Sequence, residues 1–288
     1  MRASLRPVVA VLTVLSVLPA APATAGRPTG GLQWRACAED ATAQCATLRV
    51  PVDRADPYAA TIEVAVARRP ATDRARRIGV LVVNPGGPGG SGVDLALDAA
   101  AFFSPALRAR FDVVGFDPRG VRRSSPVRCS AAVLDAAPAP LLTGPAAYTA
   151  AVAYNRRLAA DCRRRSGPVF GHADTLSVVQ DLEALRAALG ETSISFYGAS
   201  YGTLLGRQYA ERYPARLRAV VLDSVMDHSV GTGAFLTTGT DAAQDAFDQF
   251  VAGCARDTTC VLRGRDIRAL WASLTGRASR GVLRDPYE

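Results

Sequence analysis

The alternation of apolar runs with helical stretches constrains the fold of this chain more than any other feature. The apolar runs are 78–84, 111–117, 192–197 and 218–224. Each is short and almost continuously apolar, which is typical of a strand buried on both faces of a sheet. Over 174–189, Leu and Val recur at helical spacing and Gly190 follows, as in an amphipathic helix with its C-terminal cap. Strands that alternate with helices predict a mostly parallel sheet flanked by helices, the α/β class.

The two ends of the chain depart from this alternation. The β-rich runs 46–52 and 61–68 predict an antiparallel hairpin at the entry to the sheet. After Ser224 the sequence predicts no further buried strand, and the glycine-containing stretch 231–239 has the composition of a loop. Helices are predicted over 242–255 and 267–274.

The N-terminus has the three parts of a secretory signal peptide. Arg2 and Arg6 make a basic start, 8–18 is an apolar run, and Ala23-Thr24-Ala25 is a small-x-small cleavage site. We therefore expect residues 1–25 to be removed and the protein to be secreted. The apolar run is too short to cross a bilayer, so no membrane attachment is expected after cleavage.

The six cysteines agree with export, because an even number in an exported chain indicates disulfide bonds. Six cysteines allow 15 connectivities, and sequence alone does not choose among them. Two pairs are close in the chain and easy to close, Cys37 with Cys45 and Cys254 with Cys260, which leaves Cys129 with Cys162. There is no C-x-x-C pair, and neither histidine stands at ligand spacing from a cysteine, so no metal site is predicted.

The formal net charge is +8, and all the basic side chains that contribute to it are arginines, since the chain contains no lysine. The arginines are scattered, and no aromatic residues interleave with them in a stacking pattern. A solvated basic surface is therefore favoured over a nucleic-acid interface.

Gly198-Ala199-Ser200-Tyr201-Gly202 is a G-x-S-x-G motif, and residues 198–202 are called the elbow below. The motif follows a predicted buried strand and precedes a predicted helix over 203–213, the setting in which a nucleophilic serine is exposed on a tight turn. Ser200 is the predicted nucleophile, and the Tyr201 N–H is a predicted donor to a developing oxyanion. The structural alternative is an ordinary serine in a turn that begins a helix.

The stretch 84–92, called the glycine loop, follows an earlier predicted strand. A second oxyanion donor is expected from a loop at this place, and glycine lets the backbone N–H approach a substrate closely. Gly87 is the first candidate donor and Gly86 the second. A phosphate-binding loop is disfavoured because neither glycine-rich phosphate motif is present, and a plain flexible turn is the other alternative.

Together these motifs resemble a known family. The segments are Asn-Pro-Gly-Gly-Pro-Gly-Gly-Ser-Gly at 84–92, Asp-Pro-Arg-Gly at 117–120, Tyr-Gly-Ala-Ser-Tyr-Gly-Thr at 197–203 and Val-Leu-Asp at 221–223. Over about 37–260 the chain resembles the secreted actinobacterial tripeptidyl aminopeptidases and related proline-iminopeptidase-type hydrolases. The resemblance implies an α/β-hydrolase fold and a Ser-His-Asp exopeptidase acting on peptides with a free N-terminus.

The resemblance also implies an organisation for the chain. Residues 26–224 would form the N-terminal part of the hydrolase core and 225–288 the beginning of a helical cap, with the C-terminal strands of the sheet missing. In such enzymes cap carboxylates bind the substrate α-ammonium group, and Asp241, Asp245 and Asp248 lie where the cap would begin. One departure from the family pattern is Arg122, which stands where a glycine is expected and would carry a steric cost at positive φ.

The general base is the weak point of the predicted triad. A serine hydroxyl needs an adjacent base, and the order in this fold is Ser, then Asp or Glu, then His. His172 precedes Ser200, so its order is wrong; His228 follows Ser200 and Asp223, but lies close behind the nucleophile. His228 as base and Asp223 as its partner are therefore secondary candidates, and the family's acid and histidine are expected beyond residue 288.

Three functions remain open at this stage. The first is a secreted serine exopeptidase, and the second is a truncated, non-catalytic hydrolase remnant. The third is an esterase or lipase on the same scaffold, since amides and esters pass through the same kind of tetrahedral oxyanion. No metal or organic cofactor is predicted for any of them.

Overall fold

The computed structural model describes residues 31–56, 58, 60–139 and 144–283. The chain divides after Ser224 into two compact units. The predicted signal peptide over 1–25 lies outside the described residues.

The first unit contains a seven-stranded sheet in the order β1-β2-β3-β5-β4-β6-β7. The strands are β1 Arg35–Ala36, β2 Gln44–Pro51, β3 Thr61–Arg69, β4 Gly79–Asn84, β5 Phe111–Phe116, β6 Ile194–Ala199 and β7 Leu217–Asp223. The pairs from β1 to β3 and the pair of β3 with β5 are antiparallel, whereas β5, β4, β6 and β7 are parallel. Both the predicted entry hairpin and the predicted parallel sheet are confirmed.

Helices surround this sheet. In the first unit they are α1 Gly92–Leu97, α2 Ala99–Phe102, α3 Pro105–Arg110, α4 Ala131–Leu134, α5 Pro145–Ser166, α6 Thr175–Ala188 and α7 Tyr201–Arg212. Short 3-10 turns lie at Arg74–Arg76, Gly167–His172 and Pro214–Arg216. The predicted amphipathic helix is α6: Asp174 caps its start by accepting from the Ser177 N–H at 3.0 Å, and Gly190 follows its end with φ +74°.

The core lies on both faces of the sheet, as the continuous apolar runs predict. On β4, Val82 packs with Phe196 and the α6 residue Leu182 on one face. Its neighbour Val83 packs with Val93 of α1 on the other face. Successive side chains of a strand point to opposite faces, so a strand covered on both sides must be apolar throughout. Each fully buried side chain of this size contributes about 1.5–3 kcal/mol.

A buried arginine ties the turn after β5 to the rest of the first unit. The side chain of Arg119 is fully buried, and its Nε and Nη2 donate to the two carboxylate oxygens of Asp181 on α6, each at 2.7 Å. The guanidinium also donates to the carbonyls of Pro51, Val52 and His172 at 2.8–3.1 Å. One side chain therefore joins the β5 turn to β2, α6 and the turn before α6.

The same turn contains Arg122 at φ +42°, where the resemblance leads us to expect glycine. The steric cost expected for a non-glycine residue at positive φ therefore applies here. The Arg122 side chain reaches Asp94 of α1 at 3.0 Å, but Arg122 is mostly exposed and Asp94 only partly buried. A solvent-accessible pair of this kind offsets little of a backbone cost.

The second unit is helical, with α8 Thr232–Arg256 and α9 Ile267–Ser279. The rings of Phe247 and Trp271 lie 5.7 Å apart, and Arg268 donates to Asp248 at 2.7 Å. The prediction of a loop over 231–239 was wrong, because α8 already begins at Thr232. Glycine and threonine lower helix propensity by at most about 1 kcal/mol each, which a long helix can override.

Three disulfide bonds are present, joining Cys37 to Cys45, Cys129 to Cys162 and Cys254 to Cys260. This is the pairing that chain proximity favours. Disulfides of this kind are compatible with an extracellular protein. Among the described helices, none combines the length and apolar character needed to cross a bilayer.

Candidate active site

Ser200 lies on the turn between β6 and α7. Its backbone has φ +52° and ψ −122°, a conformation that non-glycine residues rarely adopt. The Ser200 N–H donates to the carbonyl of Asp223 on β7 at 2.9 Å, and its own carbonyl accepts from the Thr203 hydroxyl at 2.7 Å. These bonds on either side hold the strained residue at the C-terminal edge of the sheet.

The two glycines of the elbow are required by backbone contacts. A Cβ on Gly198 would lie 2.3 Å from the carbonyl oxygen of Gly202. A Cβ on Gly202 would lie 2.8 Å from both oxygens of Asn84. The turn is thus as tight as the motif predicts, and its second glycine also lets the end of β4 approach.

The N-terminus of α7 faces the same point. Helix α7 begins at Tyr201, directly after Ser200, and the first amides of a helix have no partner inside it. They carry the positive end of the helix dipole. The phenol of Tyr201 is held by a hydrogen bond with Thr175 at the start of α6. The predicted oxyanion donor is therefore the first residue of a helix anchored at its start.

The glycine loop packs against the elbow. Gly86 and Gly87 have φ +89° and +109°. A Cβ on Gly86 would lie 2.3 Å from the Ala199 carbonyl oxygen and 2.9 Å from the Tyr201 nitrogen. The two segments that the sequence predicts to supply oxyanion donors are therefore in backbone contact.

Asn84 fixes the start of the glycine loop, a role that the sequence analysis did not assign to it. Its buried side-chain oxygen accepts from the Gly86 N–H at 2.9 Å. An asparagine that bonds the backbone two residues on is a known turn pattern, so a polar residue at a strand end before two glycines is the available signal. Since the Gly86 N–H is engaged inside the loop, Gly87 is the better of the two candidate donors.

Asp223 is engaged through both its backbone and its side chain. Its carboxylate accepts from the Tyr197 hydroxyl at 2.9 Å and from the Ser224 hydroxyl at 3.2 Å. Burial and this bond to Asp223 raise the pKa of Tyr197. The carbonyl of Asp223 is the acceptor for Ser200 described above. The residue braces the elbow against β7, and two hydroxyl groups already occupy its carboxylate.

The two histidines occupy different units. His172 ends a 3-10 turn before α6, and its carbonyl accepts from Arg119 at 3.1 Å. Within the described part of the first unit its ring forms no hydrogen bond with Ser200. His228 is an exposed residue of the second unit, in the segment before α8. Among the described residues of the first unit, the predicted nucleophile lies beside the predicted oxyanion donors, and the histidine of that unit forms no hydrogen bond with Ser200.

A family model described as the α/β-hydrolase fold matches residues 79–280, well over half of the chain. The chain belongs to the α/β-hydrolase family. Three features predicted from the sequence indicate the fold of this α/β hydrolase: the parallel strands, the strained serine of the elbow and the glycine loop beside it.

Three of the curated relatives carry different names. This α/β hydrolase is 37% identical over 236 residues to serine protease Hip1 of Mycobacterium tuberculosis, covering 79% of this chain and 44% of that one. It is 38% identical over 221 residues to the tripeptidyl aminopeptidase of Streptomyces lividans, covering 73% and 41%. It is 40% identical over 259 residues to carboxylesterase B of Mycobacterium tuberculosis, covering 85% and 49%. The resemblance to tripeptidyl aminopeptidases is confirmed, and the chain spans about half the length of these relatives.

The contact between the glycine loop and the elbow gives a direct test in this α/β hydrolase. Gly86→Ala is expected to lower kcat by about 10²–10³-fold, the range for losing an oxyanion donor. The added methyl group would push the loop away from Ala199 and Tyr201. The measurement is the steady-state rate of the protein isolated from its own host on an activated ester or anilide substrate.

Gly89→Ala is the matched control for this substitution. Gly89 also has a positive φ, +101°, but a Cβ there meets no atom within 4 Å. Both variants carry backbone strain, and only Gly86→Ala adds a clash. Equal losses in the two variants would contradict the assignment and attribute the effect to strain in the loop alone.

Proposed function

We propose that this α/β hydrolase is a secreted serine hydrolase that removes short peptides from free N-termini through an acyl-enzyme on Ser200. The observation that carries the proposal is the strained Ser200 beside two segments able to donate backbone N–H groups. The relatives named tripeptidyl aminopeptidase and serine protease support a peptide substrate.

The chemistry follows from this arrangement. Ser200 Oγ would attack the scissile carbonyl carbon while a general base takes its proton. The Tyr201 and Gly87 N–H groups would hold the resulting oxyanion, and the base would return the proton to the departing amine. Water would then hydrolyse the acyl-enzyme by the same steps. Asp223 would brace the elbow rather than orient the base.

Esterase activity is the second candidate, favoured by the relative named carboxylesterase B. Three substrates separate the two: a tripeptide p-nitroanilide with a free amino group, its N-acetylated form and a p-nitrophenyl ester. For the exopeptidase, acetylation should lower kcat/KM by about 30-fold or more, because it removes a charge that the enzyme must recognise. Hydrolysis of the ester alone, or equal rates on the two anilides, would contradict the exopeptidase proposal.

Secretion is part of the same proposal. The three disulfide bonds and the predicted signal peptide over 1–25 support it. N-terminal sequencing of the protein from culture medium should then start at Gly26, whereas a chain found inside the cell with Met1 intact would contradict export.

A further inference from the structure

Three arginines line a cavity at the end of the sheet opposite the elbow. The cavity measures about 140 Å³ and is lined by Arg68, Pro70, Arg74, Arg77 and Asp112. Strand β3 runs antiparallel to β5, so its C-terminal end lies beside the N-terminal ends of the parallel strands. The elbow lies at their C-terminal ends. A six-residue strand such as β4 separates the two ends by about 20 Å.

The one carboxylate of this cavity is already neutralised. One oxygen of Asp112 accepts from the Ala71 N–H at 2.8 Å, and the other accepts from Nε of Arg77 at 2.9 Å. Arg77 is paired a second time, with Glu191 at 2.6 Å. Both oxygens of Asp112 therefore already accept a hydrogen bond, one of them from Arg77.

Arg68 is held in place by neutral groups. Its Nε and Nη2 both donate to the side-chain oxygen of Gln44, at 3.0 and 2.7 Å. Its guanidinium lies 4.1 Å from the ring centroid of Trp34. Burial is the main cause that lowers the pKa of Arg68; the charges of Arg77 and Arg74 act in the same direction, and the charge of Asp112 opposes them. The guanidinium is thus fixed and half-buried, with further N–H donors to spare.

Two arginines near Arg68 and Arg74 in the sequence each pair with a carboxylate. Arg69 pairs with Asp40, and Arg76 pairs with Asp73. Within the described part of the chain, neither Arg68 nor Arg74 has a carboxylate within 4.0 Å. Both of these guanidinium groups line the cavity.

We propose that this cavity is an anion-binding site for a phosphate group. The planar fork of arginine matches the geometry of phosphate oxygens, and such charge-assisted bonds are about twice as strong as neutral ones. Because Gln44 and Trp34 already immobilise Arg68, little side-chain entropy is lost when the anion binds. The site is remote from Ser200, so its ligand would act on stability or attachment rather than on the reacting atoms.

The test is a titration of the whole chain with inorganic phosphate by isothermal titration calorimetry, at constant ionic strength against chloride. One phosphate should bind per chain, and the melting temperature should rise with phosphate concentration. Arg68→Gln should weaken binding by about tenfold or more, and Arg74→Gln should also weaken it. Since Arg74 is exposed, its substitution keeps the test valid even where Arg68→Gln impairs folding.

Arg157→Gln is the matched control, because it removes the same charge from an exposed position on α5. It should leave the affinity unchanged. No binding, or equal weakening in all three variants, would overturn the proposal in favour of a general charge effect. A parallel titration with short-chain polyphosphate separates two sources: tighter binding that still depends on Arg68 indicates a polymer, and equal affinity per phosphate indicates the free ion.

Discussion

Replacing Ser200 with alanine is expected to abolish labelling by a fluorophosphonate probe and to lower amide hydrolysis by about 10⁴-fold or more. The Ser200 hydroxyl would supply the attacking oxygen, so its loss leaves only binding and the oxyanion donors to act. The measurement is the intact mass of the protein isolated from its own host, with and without probe, together with anilide hydrolysis.

Ser224→Ala is the matched control. Ser224 is also a serine at positive φ, +58°, next to Asp223, but it lies outside the elbow. It should keep both labelling and turnover. Labelling that persists in Ser200→Ala, or disappears in Ser224→Ala, would place the nucleophile elsewhere.

Labelling a polypeptide of residues 26–288 with the same probe tests whether those residues contain the general base that activates Ser200. His172 precedes Ser200 and forms no hydrogen bond with it, and His228 follows the nucleophile too closely in the chain for the usual histidine of this fold, so labelling above the Ser200→Ala background is not expected. Labelling that His228→Ala removes and His172→Ala retains would instead make His228 the base.

Sequence alone predicts the sheet and the elbow because both depend on local signals. A continuous apolar run such as 78–84 indicates a strand that is buried on both faces. The glycines of the elbow indicate a turn with no room for a side chain. The extension of α8 over 232–239 could not be predicted in this way, since glycine and threonine there oppose helix locally.

Long-range polar contacts are the other part that the sequence does not provide. The Asp-Pro-Arg-Gly segment marks a turn, but nothing in it indicates that Arg119 is fully buried against Asp181 on a helix much further along the chain. In the same way, the Val-Leu-Asp segment makes Asp223 only a secondary candidate for the catalytic acid. Only the fold shows that its carboxylate is occupied by Tyr197 and Ser224.

Loss of the buried ion pair of Arg119 is expected to lower the stability of this protein strongly. Arg119→Met is expected to lower the free energy of unfolding by about 3–5 kcal/mol, the range for breaking one side of a buried ion pair. Among the described residues Asp181 would keep only Arg54 as a charged partner, at 2.7 Å, and the carbonyls of Pro51, Val52 and His172 would lose a donor. The measurement is urea unfolding, in which the midpoint should fall while the m-value stays constant.

Arg49→Met supplies the comparison, because Arg49 pairs with Glu63 at 3.0 Å where both side chains are mostly exposed. Its cost should stay within about 1 kcal/mol. Replacing Asp181 with leucine in the Arg119→Met background should cost less than the sum of the two single changes, since it removes the uncompensated charge. Strictly additive losses, or an Arg119→Met protein as stable as Arg49→Met, would show that this buried pair does not hold the β5 turn to α6.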